Sequence, residues 1–547
     1  MAANMKGERP QPLPHHKDAE PIPAGPGRLE ATAKRFLNRL RSEELKDLHA
    51  WLACVLQGSL DMGSVCSGTD SPVLAWHAFA AAAEDVLGAR LLVNHRYAAE
   101  RNPAKQEFLR AAFPNLTIFQ DATKLDAPVA ITREGQYAQV ANSLQHLIAG
   151  FPCTSSSKLN PHSTSEANMS CVANADLATG SVFHGIVKNM LQHGSHMQFL
   201  VLENVTALAS CTPGRLSNLD MVAQLLRSEL SMVTKVWHLD PRDFGTPQCR
   251  PRLWMSCVPK RELKRMDISE HVAGSILSDV MNRLAGSRLA PLDDFLLDDE
   301  DEVLEEERKE MRGCCVTGDA DTAIGLLATG GILRPGKRAF PKKAEPAACK
   351  WPRIHERLFR AKGLCWTEAK PLDEGVAHAY PGLRALSARQ LEILELAGIR
   401  DFPETVGRCI EVSQGAGRQV PRVGCASTVT PHGQQYLTHR CRLLHAIECL
   451  HLQGIYFSRS LLQKFPSRLI QDLAGNAFET SCCLATIVAS SVLLSTGAAA
   501  GIAGCPRPPL GPLGVPPKVQ GTAASADDDD ASSDTDYADV LALSGQA

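Results

Sequence analysis

Up to about Pro259 the chain repeatedly sets a short apolar run before a helical stretch, and this alternation constrains its fold more than any other feature. The runs lie in "GSVCSG", "ARLLVNHR", "LTIFQD", "HLIAGFPC", "QFLVLENV" and "RLWMSCVP". Each is too short for a core helix, and most are rich in branched residues, so they read as strands buried on both faces. Strands buried on both sides and joined by helices make a mostly parallel sheet in an α/β domain.

Composition adds limits. The chain has 547 residues, 44% of them hydrophobic and 21% charged, enough to bury a large core. A net charge of -3 says nothing about partners, because acidic tails and a basic cleft average out. No uninterrupted apolar run reaches the roughly 18 to 20 residues of a membrane helix, so no membrane partner is expected. The N-terminus "MAANMKGERPQPLPHHKDAEP" is polar and proline-rich rather than a signal peptide, which predicts an intracellular protein.

The chain divides by texture. Residues 1–28 read as disordered, and an amphipathic helix over Leu29 to Leu56 leads into a block reaching 259. Residues 260–425 form a region of different character, 426–496 a second compact segment, and 497–547 a low-complexity tail. The acidic run at 292–310 and the basic "RPGKRAFPKKAEP" read as solvated surface. The 18 cysteines are dispersed and include no Cys-x-x-Cys pair, so neither a metal site nor a disulfide framework is expected. Most read as reduced, buried thiols. Cys153, after Pro152 at a strand end, is the exception.

Several strand ends carry chemistry. The first closes on Cys66, Ser67 and Gly68, small residues that let a ligand approach the backbone beside a helix start. The next two end in Glu100 and Asp121, acids suited to a ribose hydroxyl pair and an adenine amino group. Singly each reads as a cap or surface charge; in order they point to a nucleoside cofactor.

The ordered set "GFPCTS", "LENV" and "DFGTPQCRPRLWM" resembles the cytosine-5 DNA methyltransferase family. Pro152 and Cys153 are similar to the family's nucleophile loop, Glu203, Asn204 and Val205 to its Glu-Asn-Val strand, and Gln248, Arg250 and Arg252 to its Gln-x-Arg-x-Arg pattern. Later, "RLLHAIECLHLQG" resembles the Arg-x-Leu, Glu and Leu-Gln-Gly helix through Arg442, Glu448, Leu452, Gln453 and Gly454. Gly475 and Asn476 resemble the closing Gly-Asn motif. The resemblance implies a Rossmann-like S-adenosylmethionine-dependent methyltransferase fold with an inserted target-recognition lobe at about 260–425. It also implies S-adenosylmethionine at Cys66, Ser67, Gly68, Asp70, Glu100, Asp121 and Asn476.

The implied reaction explains the residue types. Carbon 5 of cytosine becomes nucleophilic once a thiolate adds at carbon 6, which assigns Cys153 as nucleophile, favoured as thiolate on an exposed loop beside positive charge. Glu203 would hydrogen-bond ring nitrogen 3 as an acid, and Arg252 would hold oxygen 2. Pro152, Gln248 and Arg250 complete the expected catalytic set, Arg250 supporting the loop or meeting phosphate. The resemblance implies a DNA substrate, and since neither ring face is reachable in a duplex the target cytosine must be flipped out or already single-stranded. Arg334, Lys337, Arg338, Lys342, Lys343, Arg418 and Arg422 are candidate phosphate contacts. The chain departs from the family at Asp70, where a second glycine is usual, and at Phe478, where a smaller residue is usual. An RNA cytosine methyltransferase of the same fold and a silent nucleic-acid-binding homologue are the alternatives. Nuclear residence follows from the DNA substrate.

Overall fold

The computed structural model describes residues 7–11, 20–306 and 408–501, apart from 158–159, 161, 212–213, 415–421, 438 and 441, plus seven positions between 357 and 394. Arg334, Lys337, Arg338, Lys342, Lys343, Arg418, the Arg422 side chain and the tail after 501 lie outside the described residues.

Helix α1 (Arg28–Asn38) buries Leu29, Ala33, Phe36 and Leu37 along one stripe. Strand and helix then alternate as β1 (Ser59–Val65), α2 (Ser71–Leu87), β2 (Leu92–Ala99), α3 (Pro103–Ala112), β3 (Ile118–Phe119), β4 (His146–Ala149), α4 (Ala178–His193), β5 (Phe199–Val205), α5 (Asn218–Leu230), β6 (Met232–Leu239) and β7 (Arg252–Pro259). These strands form one sheet in the order β3-β2-β1-β4-β5-β7-β6. Neighbours pair parallel except at β7, which runs antiparallel to both β5 and β6. The order reverses between β1 and β4, and the carboxyl ends of such strands flank a crevice where ligands bind.

Packing continues past Pro259. Helix α6 (Glu270–Leu284) buries Leu277, Val280, Met281 and Leu284 in the same core as α1 and α2. The chain returns late to fill that core with α7 (Ser467–Asn476) and α8 (Thr480–Ser495). All 16 residues of α8 are buried. Full burial of each branched side chain there contributes about 1.5 to 3 kcal/mol. The opposite face is covered by α4 and α5 through Phe183, Ile186, Leu219, Val222 and Leu226. The segment Ser467–Ala500 is apolar and long enough to cross a membrane, a length that small and hydroxyl residues hide from a count of uninterrupted apolar residues. Yet 78% of its apolar window is buried inside the protein.

Two expectations are corrected. Residues 1–28 are not wholly disordered: the Glu8 amide donates to the Val236 carbonyl at 3.3 Å, and the His238 amide donates to the Glu8 carbonyl at 2.9 Å. Edge strand β6 presents unpaired backbone groups, and this short piece satisfies some of them. Nor is the acidic run from residue 292 merely solvated, because Asp293, Asp299 and Asp301 pair with Arg440, Arg442 and Arg459 of the returning segment. Arg442 also reaches Glu448 at 2.7 Å, so two residues of the late motif neutralise each other. A four-stranded antiparallel sheet, built from Arg408–Glu411, Arg422–Val423, Gln435–Leu437 and Arg442–Leu443, precedes α7.

Candidate active site

At the β1 end, Cys66, Gly68 and Asp70 all adopt positive φ, at 57°, 57° and 55°. Only glycine takes this conformation freely, so the turn is tight and held by its surroundings. The Cys66 amide donates to the Ala99 carbonyl at 2.8 Å, and the Gly68 amide donates to Glu100 Oε2 at 3.1 Å. Ser67 is buried, its hydroxyl 2.7 Å from that of Ser64. Open space faces Gly68, with nothing within 4 Å of where a Cβ would stand.

Glu100, after β2, also accepts from the Asn102 amide through Oε1 at 2.8 Å. Asp121, after β3, accepts from the backbone and hydroxyl of Thr123 at 2.9 and 2.8 Å. The open face at Gly68 and two partly exposed acids on successive strand ends fit a nucleoside cofactor such as S-adenosylmethionine. Asp70 does not face that space: it is fully buried, with Oδ2 3.1 Å from His95 Nε2. Asn476 is exposed at the end of α7, and its amide donates back to the Asp472 carbonyl and carboxylate at 2.8 Å. These bonds tie the Asn476 side chain to its own helix.

The second cluster stands at the ends of β4 and β5. Asn204 Nδ2 donates to the Phe151 carbonyl at 3.1 Å, which fastens the loop carrying Pro152 and Cys153. Glu203 and Arg252 are diagonal neighbours across the β5–β7 pairing, Arg252 opposing Val205, and Arg252 Nε lies 3.2 Å from Glu203 Oε1. Burial raises the Glu203 pKa above its ordinary value, while Arg252 and Arg250 lower it less. Burial thus makes the protonated form easier to reach than in a free carboxylate. Burial likewise raises the Cys153 thiol, and Glu203 adds to the rise against the lowering charges of Arg252 and Arg250. The loop was expected to be exposed and to favour the thiolate; Cys153 is instead half-buried, and burial pushes its thiol up rather than down.

Gln248 and Arg250 were expected among the catalytic groups, and their bonds go elsewhere. Arg250 is 3% exposed and donates to the carbonyls of Val429 at 2.6 Å, Gly475 at 3.1 Å and Ala477 at 2.9 Å. Gln248 is buried and donates to the Leu452 carbonyl at 3.3 Å. Together they clasp the returning segment onto the sheet. Phe478 is accommodated at Gly150, where a Cβ would stand 2.7 Å from the phenylalanine Cζ and 3.7 Å from Glu203 Oε2. Its backbone carbonyl accepts from the Ser71 hydroxyl at 2.9 Å, so one residue joins the start of α2 to the strand end that carries Gly150. Sequence reasoning missed His95, the anchoring role of Asn204 and the partner of Phe478. A glycine directly before Phe-Pro-Cys was the one available signal.

Sheet order, the single antiparallel strand and the two clusters on adjoining strand ends define an α/β domain of the S-adenosylmethionine-dependent methyltransferase class. Residues 76–310 match the family model of the C-5 cytosine-specific DNA methylases. Over 461 residues it is 26% identical to the DNA (cytosine-5-)-methyltransferase DMT5 of Cryptococcus neoformans var. grubii, an alignment covering 79% of this chain and 17% of that protein. A protein of the same name from Verticillium dahliae is 24% identical over 487 residues, covering 77% of this chain and 19% of its own length. The chain thus spans under a fifth of the curated relatives it matches. A solved putative DNA modification methyltransferase from an E. coli prophage is 13% identical with a TM-score of 0.37, covering 81% of this chain and all of its own.

Proposed function

We propose that this domain transfers a methyl group from S-adenosylmethionine to carbon 5 of a cytosine flipped out of DNA. The observation that carries this reading is the meeting of Cys153, Glu203 and Arg252 beside β4 and β5, one strand from the open loop at Gly68. The Cys153 sulfur bonds carbon 6 of the ring as its proton leaves. Glu203 donates a proton or strong hydrogen bond to ring nitrogen 3, and Arg252 stabilises the charge gathering on oxygen 2. S-adenosylmethionine, when bound, supplies an electrophilic methyl on a sulfonium. Loss of the carbon-5 proton then returns its electron pair to the ring and expels the Cys153 thiolate. Glu100 and Asp121 would hold the ribose and adenine, and Gly68 lets the cofactor approach the backbone.

Covalent trapping tests this. Wild type and Cys153→Ser are incubated with S-adenosylmethionine and DNA or RNA carrying 5-fluorocytosine, whose fluorine blocks the last proton removal. A denaturation-resistant adduct of wild type with DNA is expected. An adduct with RNA alone would move the reading to RNA cytosine methylation, and none with either polymer would leave a silent nucleic-acid-binding protein. Nuclear residence is proposed on the DNA substrate alone, and imaging of the tagged chain checks it.

A further inference from the structure

We propose that Asp70 and His95 form a positioning pair whose contact holds the cofactor loop in its binding shape, a reading that rests on the cofactor site proposed above. Asp70 holds a φ of 55° in a turn where Cys66 and Gly68 are also left-handed. Left-handed backbone at a non-glycine residue is costly and persists only where surroundings enforce it. Asp70 has no exposed surface, and a buried carboxylate without a compensating partner is costlier still. Among the described residues the basic side chain that approaches it is His95, whose Nε2 stands 3.1 Å from Oδ2, while neither carboxylate oxygen makes a hydrogen bond of good geometry.

His95 is built into β2 for this contact. The β1–β2 register pairs Met62 with His95 and then Gly63 with Tyr97, so an extra residue, Arg96, interrupts the alternation directly after the histidine. Such a bulge re-aims side chains. Here it lets both His95 on β2 and Glu100 just past its end reach the same loop: His95 Nε2 stands 3.1 Å from the Asp70 carboxylate, and Glu100 accepts from the Gly68 amide. The Ser64 hydroxyl lies 3.4 Å from His95 Nε2 and 2.7 Å from the Ser67 hydroxyl, which carries the contact back into the loop. The Phe113 ring stands edge-on to the imidazole with centroids 5.9 Å apart, fixing its tilt. β2 therefore grips the loop at two points, one holding the amide that borders the open space and one holding the backbone turn behind it.

The test is calorimetric binding of S-adenosylmethionine to Asp70→Asn, His95→Gln and the double variant, with thermal unfolding recorded for each. Asparagine keeps the size of Asp70 and tolerates positive φ, so Asp70→Asn removes chiefly the charge. Each single variant should weaken binding at least about tenfold, and the double variant no more than the worse single, as residues acting as one unit do. In steady-state methyl transfer the loss should fall on KM for S-adenosylmethionine rather than on kcat. Variants that lower the melting temperature yet keep wild-type affinity would reduce the pair to a packing role and overturn the proposal, as would additive losses in the double variant. If wild type itself does not bind S-adenosylmethionine, the functional reading fails and takes this one with it.

Discussion

Arg252 Nε lies 3.2 Å from Glu203 Oε1 across the β5–β7 pairing, so the proposed acid and the proposed anchor for the base engage each other directly. A base entering this pocket must divide the pair between ring nitrogen 3 and oxygen 2. Both interactions then strengthen as the ring gains negative charge, which is where catalysis is won. Glu203→Gln should slow single-turnover methyl transfer roughly 100-fold to 10,000-fold, the general scale of acid catalysis. An unchanged rate would remove Glu203 from the mechanism. Arg252→Lys should also lose rate, because an ammonium cannot reproduce the guanidinium fork.

Burial, reinforced by Glu203, raises the Cys153 thiol above its ordinary value. A raised thiol has less thiolate at neutral pH, and its reactivity climbs only as pH rises through the raised midpoint. Peptide-resolved alkylation with iodoacetamide should therefore give Cys153 a midpoint above about 8.5, the value of a free cysteine. Glu203→Gln removes a charge that opposes the thiolate, so it should lower that midpoint. A midpoint well below the free-cysteine value would show that the two arginines win over burial.

Gly150 leaves no room for a methyl group, since its Cβ would stand 2.7 Å from Phe478 Cζ. Gly150→Ala should cost about 1 to 3 kcal/mol in urea unfolding, as overpacked cores do. Adding Phe478→Val should recover part of that loss, because the two residues share one space. Strict additivity in the double variant would show that the ring moves aside freely.

Arg250 donates to three backbone carbonyls of the returning segment. Arg250→Met should leave them unpaired in a buried site at about 1 to 3 kcal/mol for each carbonyl that water cannot reach. Urea unfolding should detect the loss, and protease cleavage between 426 and 480 should rise. Full stability in Arg250→Met would show that water replaces the guanidinium.

Much of the fold was legible because burial on both faces leaves a local trace. The apolar runs of β1, β2, β4, β5 and β7 each carry their own pattern, and the small or acidic residue ending a strand sits beside it in the chain. The resemblance drawn from "GFPC", "LENV" and "QCRPR" likewise located residues that the fold brings to one end of the sheet: Glu203 meets Arg252 and both act on Cys153. β6 was not legible as a separate strand, because "MVTKVWHL" mixes buried and half-buried positions in no simple alternation.

By itself, then, the sequence determined the alternation of strand and helix, the place of each strand end, and the kinds of side chain those ends present. Tertiary structure alone decided what each side chain is paired with. Arg250 bonds residues 179, 225 and 227 positions away, and no local pattern distinguishes a guanidinium bound for phosphate from one bound for a distant carbonyl. The same holds for Asp70, which in the chain is a substituted glycine and in the fold is half of a buried pair with His95. Periodicity records how much water a residue loses. The identity of the group that replaces that water depends on chain closure over hundreds of residues, and only the packed fold contains it.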